Sequence, residues 1–244
     1  MRKTILAAIL VAVLCLTAAG CSGQQLENRS ADNTVAPVTI TAQEIKQDKT
    51  NIAVNLKIPV ISGMKDRTVQ NKINAQLAED AKKFASEVEK LADAEVPQIR
   101  KSGSKVNRYT ARTSYEVAYN KNGLLSITCM FMQYTGGAHG LEVKKAYNFD
   151  LTNGKNLALG DLFKPGTDYK GIINAEIKKQ IQAKPGEYFS GANGFQGIKD
   201  NQGYYLSDNA LVIYFQEYDI APYAAGHPEF KIPYTLFGNG LKTP

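Results

Sequence analysis

From Ile52 the chain alternates between apolar and other positions. Ile52, Val54, Leu56, Ile58 and Val60 are separated by Ala53, Asn55, Lys57 and Pro59. A period of two predicts a half-buried strand. Pro59 has no amide donor, which places that end at a sheet edge or a strand terminus. The period then changes. Val69, Ile73, Leu77, Ala81, Phe84, Val88 and Leu91 recur at steps of three and four. They predict an amphipathic helix from Asp66, its N-cap, to about Ala94, with Pro97 just past the end. Lys72, Glu79, Lys82, Lys83, Glu87 and Lys90 make the opposite, solvated face. Alternation returns at Tyr115, Val117 and Tyr119. Asn122-Gly123 then supplies the two residues of a tight hairpin, since both must accept positive φ. Leu125, Ile127, Cys129 and Phe131 form the partner strand, and Val143 to Leu151 a further one before a second turn at Asn153-Gly154.

The second half has a different texture. Asp161-Leu162-Phe163 predicts a short turn. Tyr169, Ile173, Ile177 and Ile181 predict a second helix, capped by Thr167 and stopped by Pro185-Gly186. Leu211, Ile213 and Phe215 mark a strand, with Val212, Tyr214 and Gln216 facing the other way. Aromatic residues crowd the stretch from Tyr204 to Phe237. The pattern predicts an α+β fold of two small units, each an antiparallel sheet packed with one main helix. The expected divisions are 1–20, 21–37, 38–155 and 156–244.

The first two divisions are not part of the fold. Arg2 and Lys3 precede an apolar run of about 15 residues, short of the roughly 20 that span a bilayer, and Ala18-Ala19-Gly20 leads directly into Cys21. Small residues before a cysteine at the end of such a run predict a lipoprotein signal peptide, although Ala18 stands where leucine is usual. Cys21 would then carry the lipid, and the polar stretch Ser22 to Pro37 would be a flexible tether. The expected location is exported and lipid-anchored, facing the periplasm or cell exterior, with too few residues before the apolar run for a cytosolic segment.

Composition narrows the chemistry. The 244 residues carry a formal net charge of +6, which falls to about +4 when Arg2 and Lys3 leave with the signal. No block of five or six like charges occurs, so nucleic acid is not an expected partner. Of the three cysteines, Cys15 leaves and Cys21 is acylated; Cys129 sits between Ile127 and Phe131 and reads as a buried strand position. With only His139 and His227 and no HExxH spacing, no zinc site and no cofactor are expected. No Gly-x-Ser-x-Gly elbow or phosphate-binding glycine loop is present. The acidic pairs Glu79 with Asp80 and Glu217 with Asp219 are of a kind common on surfaces.

Two segments remain as candidate sites. Tyr134-Thr135-Gly136-Gly137-Ala138-His139-Gly140 carries three glycines in five residues after a strand, which requires an unusual backbone path. It either presents His139 and bare amides to a ligand or is a turn in which His139 caps carbonyls. Tyr218-Asp219-Ile220-Ala221-Pro222-Tyr223-Ala224-Ala225-Gly226-His227-Pro228 sets tyrosines beside small residues, with prolines that forbid regular pairing. Its rings either form a binding surface or plug the end of the sheet. The candidate ligand-binding residues are Tyr134, Thr135, Gly136, Gly137, His139, Tyr218, Tyr223 and Gly226. No catalytic residue is assigned.

These segments, together with Asn148-Phe149-Asp150-Leu151, Gly154-Lys155, Asp161-Leu162-Phe163, Gly203-Tyr204-Tyr205-Leu206, Leu211-Val212-Ile213-Tyr214-Phe215 and Ile232-Pro233, carry a resemblance. The chain resembles the paired domains of unknown function found outside the membrane in the lysozyme-sensing anti-sigma factor of Gram-positive bacteria. The same pair precedes the catalytic domain of certain peptidoglycan N-deacetylases. The resemblance implies a deacetylase-N-terminal-like first unit and an anti-sigma-ectodomain-like second unit. It also implies that the partner is a lysozyme-like protein or a peptidoglycan fragment, bound by a non-enzymatic envelope module. The alternatives are an envelope hydrolase using His139 as general base and a structural partner in an envelope complex. C-type lysozymes are basic, so a chain of about +4 would need a local acidic patch to attract one.

Overall fold

The segment that alternates from Ile52 becomes the second strand of a six-stranded sheet. The computed structural model describes residues 36–242, which lie within one compact unit. The expected signal peptide, the expected lipid-bearing Cys21 and the expected tether up to residue 35 lie outside the described residues. Across the sheet the order is β1 (Thr39–Asp48), β2 (Ile52–Ser62), β3 (Tyr109–Lys121), β4 (Leu124–Tyr134), β5 (Leu141–Asp150) and β6 (Lys155–Asn156). Neighbours are antiparallel except β2 and β3. These two run parallel because α1 (Arg67–Lys101) connects them, and a connection of that length lets the chain return in the same direction. β1 was not anticipated as a strand. Its side chains are largely exposed, so it lacks the buried alternation that marks β2.

Pro59 lies where its missing amide costs nothing. The amides of Lys57 and Ile61 bond Thr113 Oγ1 (3.0 Å) and Asn74 Oδ1 (2.7 Å) and not β1. The β2–β3 pairing ends at Leu56 opposite Thr113, so the intervening proline faces a stretch without a strand partner. At the N-terminal side, the Asn120 side-chain amide clasps Val38, accepting from its N–H (3.0 Å) and donating to its carbonyl (2.7 Å).

Asp66 caps α1 as expected, its Oδ1 accepting from Thr68 N (2.8 Å) and Val69 N (3.1 Å). The helix does not stop before Pro97, however, but runs through it to Lys101. External contacts hold the last turns: Val96 is fully buried, Tyr109 Oη donates to Glu95, and Arg100 donates to Asn51 Oδ1 (3.0 Å) and Thr50 O (3.2 Å). These contacts outweigh the single ladder bond that proline removes. The buried stripe also drifts: after Val88 it continues through Ala92 and Val96, leaving Leu91 exposed. The Asn122-Gly123 hairpin forms as expected, with φ of +54° and +73°.

The second sheet is β7 (Tyr204–Leu206), β8 (Ala210–Tyr214) and β9 (Glu229–Pro233), all antiparallel in that order, with α2 (Tyr169–Gln182) against it. The cap of α2 is Asp168, not Thr167. Asp168 Oδ1 accepts from Gly171 N (2.9 Å), while the Thr167 hydroxyl turns to the Gly240 carbonyl. Two apolar clusters result. One packs α1 on the large sheet through Ile73, Leu77, Val88, Leu56, Leu125 and Phe149. The other joins Ile173, Ile177, Leu211 and Phe230 to Tyr119 and Leu124 of the β3–β4 hairpin. Every residue of β8 is buried, Val212 and Tyr214 included.

Between the clusters lies the outward edge of β5. β6 pairs only with Phe149 and Asp150, so the edge before them has no strand partner. Side chains replace one. The Gln216 amide accepts from Lys144 N (3.0 Å) and donates to Lys144 O (2.7 Å), Tyr214 Oη accepts from Ala146 N (2.9 Å), and Asn156 Oδ1 accepts from Asn148 N (2.8 Å). Below this edge is a buried polar link. Asn148 Nδ2 donates to Tyr204 O (2.9 Å), Ser126 Oγ accepts from Leu206 N (3.0 Å), and the two side chains bond each other. Removing one partner of a buried bond strands the other, at about 1–3 kcal/mol. Asn148→Ala is therefore expected to lower unfolding stability by about 1–3 kcal/mol in a urea titration; an unchanged midpoint would show that the link contributes nothing.

Candidate functional site

The glycine-rich loop joins β4 to β5, with Gln133 still paired to Leu141 across its base. Gly136 has φ +90°, and a Cβ on Gly140 would lie 2.8 Å from the Gln133 carbonyl oxygen. Both positions therefore demand glycine. His139 is exposed, and its Nδ1 lies 2.9 Å from the Gly140 carbonyl oxygen. That bond needs the proton on Nδ1, so in the neutral ring Nε2 is the acceptor. Thr135 is half-buried, and Gly136 and Gly137 are exposed. The Tyr134 hydroxyl accepts from Asn107 Nδ2 (3.1 Å).

The tyrosine-rich loop leaves β8 and returns to β9. Phe215 N bonds the Pro228 carbonyl (3.0 Å), closing the loop at its neck. Asp219 Oδ2 accepts from Gln216 N (2.9 Å) and shapes the first turn. Gln216 in turn is held on Lys144, so the loop start is fixed to β5. Tyr218 has φ +65°, an uncommon value for a residue with a side chain. Backbone strain of this sort persists where the surroundings over-determine it. Pro222 opens a short 3-10 turn over Tyr223–Ala225, and Gly226 ends it at φ +61°.

The structure brings the two loops together. The His139 and Tyr223 rings stack with centroids 4.5 Å apart, and Tyr223 stacks on Tyr218 at 5.7 Å. Tyr218 is 55% exposed and Tyr223 37%. They are not buried against the sheet, whereas the neighbouring Ile220 and Ala221 are buried. Of the residues singled out in the sequence, His139, Tyr218 and Tyr223 form one surface, with Gly136 and Gly226 setting its backbone. Beside it a cleft of about 400 Å³ is lined by Phe189, Phe195, Phe215 and Tyr218, with Asn193 and Lys199 among its polar groups. Lys144, below the loops, pairs with Glu229 and lies 5.3 and 5.6 Å from the ring centres of Tyr205 and Tyr214.

One grouping was not visible in the sequence. Glu142, Glu217 and His227 converge, one donor atom from each lying within 4.8 Å of the others. Glu142 follows the glycine loop, while Glu217 and His227 flank the tyrosines, so no local spacing announces them. Glu217 and Asp219 flank Tyr218 in the chain, and Glu142 meets Glu217, so acidic side chains stand beside the aromatic surface although the net charge of the chain is positive.

Cys129 is not part of this surface. It is 5% exposed, and burial pushes its thiol up to about 12. At pH 8 only about one thiol in 10⁴ would be ionised, and the thiolate is the nucleophile. Iodoacetamide at pH 8 is expected to leave the Cys129 peptide unmodified in the folded protein and to label it after denaturation, read by mass spectrometry. Rapid labelling of the folded protein would contradict this assignment.

Comparison with known proteins adds the following. Residues 45–142 match the family model described as Deacetylase PdaC, and residues 160–235 the one described as Protein of unknown function (DUF3298). The anti-sigma-V factor RsiV of Bacillus subtilis is 29% identical over 210 residues, covering 83% of this chain and 70% of that protein. The peptidoglycan-N-acetylmuramic acid deacetylase PdaC of the same organism is 25% identical over 171 residues, covering 66% of this chain but only 36% of its own length. A crystal structure of a DUF3298 family member from Bacteroides fragilis superposes with a TM-score of 0.67 at 21% identity, covering 86% of this chain and 96% of that one.

Proposed function

We propose that this chain, which carries a PdaC-type domain followed by a DUF3298-type domain, is a lipid-anchored binding module of the cell envelope that recognises a muramidase. Cys21 carries the lipid, residues up to 37 are the tether, and residues 38–155 and 156–244 form the two units. Among the described residues no helix is long and apolar enough to cross a membrane. The relatives named above act, by their names, as an anti-sigma factor and as a peptidoglycan deacetylase, which supports an envelope setting.

The observation that carries the reading is the exposed stack of Tyr218, Tyr223 and His139, rimmed by Glu142, Glu217 and Asp219. Stacked tyrosines offer contact area with little entropy left to lose. The acidic rim supplies the local attraction for a basic partner that the net charge does not. The cleft beside Tyr218 favours a second reading, in which the ligand is a cell-wall glycan. Phenyl walls with amide and ammonium groups between them suit a sugar, whose faces are apolar and whose edges are polar.

The protein, titrated with C-type lysozyme and separately with soluble peptidoglycan fragments, is expected to bind one of them. Tyr218→Ala and Tyr223→Ala should each weaken that binding about tenfold, or ~1.4 kcal/mol. Lysozyme binding should weaken further as salt rises. No binding of either at ~100 µM, a threshold of roughly 5 kcal/mol, would remove both readings. Turnover of the fragments that disappears in His139→Ala, with the fold intact, would replace the binding module by a hydrolase.

A further inference from the structure

We propose that Glu142, Glu217 and His227 form a binding site for a divalent transition-metal ion, with zinc the best match to its donors. Two of its donors, Glu142 and Glu217, also belong to the acidic rim described above, but the site is tested without any wall component or muramidase.

Two independent observations point to it. The first is convergence: a ring nitrogen of His227 and a carboxylate oxygen from each glutamate lie within 4.8 Å of one another, although Glu142 comes from β5 and the other two from opposite ends of the loop between β8 and β9. The second is an orphan. Nε2 of His227 is shut off from solvent and has no hydrogen-bond partner. Buried polar atoms are nearly always paired, and a ring nitrogen that faces neither water nor a donor is arranged for a ligand. A cation bound through Nε2 would satisfy that nitrogen and offset the mutual repulsion of the two carboxylates.

The donor set selects the ion. Calcium and magnesium favour oxygen donors throughout. One imidazole with two carboxylates suits zinc, with manganese next. Zinc–ligand bonds of about 2.0–2.2 Å place tetrahedral donors about 3.3–3.6 Å apart. The cluster must therefore close by about 1 Å, within the reach of two glutamate side chains. Three protein donors leave a fourth position for water or for an oxygen of a bound molecule.

The scaffold holds the donors firmly. Glu142 sits in β5 opposite Met132. Glu217 follows Gln216, whose side chain is bonded on both sides to the Lys144 backbone. His227 precedes Pro228, whose carbonyl accepts from Phe215 N. A metal here would fasten β5 to the tyrosine-rich loop.

Tag-free, chelator-treated full-length protein in detergent micelles, titrated calorimetrically with ZnCl₂, is expected to bind one ion per chain with a Kd below about 10 µM. Glu217→Gln, Glu142→Gln and His227→Ala should each weaken binding at least tenfold. Co²⁺ should give visible d–d absorption that vanishes in His227→Ala. The glutamine variants keep side-chain volume, so they decide the matter if His227→Ala fails to fold. No saturable binding up to ~100 µM, or binding that survives both glutamine substitutions, overturns the proposal.

Discussion

The molecule depends on how the outward edge of β5 is closed. A strand without a neighbour leaves a row of amides and carbonyls that must find partners. Here no strand takes the position. The side chains of Gln216, Tyr214 and Asn156 supply the bonds at Lys144, Ala146 and Asn148. The large sheet and the small one are thereby joined by specific hydrogen bonds as well as by apolar contact. This accounts for the burial of both faces of β8: one serves the α2 cluster, and Tyr214 reaches back to β5.

The same closure positions the surface loops. Gln216 lies two residues before the tyrosine-rich segment, and β5 begins directly after the glycine-rich one. Fixing Gln216 on Lys144 therefore brings two loops distant in sequence into one register. The stacking of His139 on Tyr223 and the meeting of Glu142 with Glu217 and His227 both follow from it. The side of Lys144 that is not engaged by Gln216 is used too, its ammonium pairing with Glu229 above two tyrosine rings.

Much of this architecture was legible from local pattern. The alternation of β2, the stripe and cap of α1 and the Asn122-Gly123 hairpin are short-range signals, and each formed. What escaped was decided at long range. β1 is exposed along most of its length, and its pairing with β2 leaves little trace in its own composition. Pro97 is tolerated because Arg100 and Val96 find partners elsewhere in the fold. Of the site, the two loops stood out by their glycines and tyrosines, but Tyr134 turned out to face Asn107. The acidic partners of His227 were hidden because Glu142 and Glu217 look like ordinary surface carboxylates until the edge of β5 is closed.

The amide clasp between Asn120 and Val38 has a mechanical consequence. β1 is the outermost strand, and its first residues pair with the last of β2. Tension applied through the preceding chain would load this one pair of bonds first. Once they part, β1 would peel from β2 one rung at a time and not shear all at once, leaving α1 and the remaining strands seated. Under such a load Asn120 would act as a fuse, setting the pull at which the domain begins to fray.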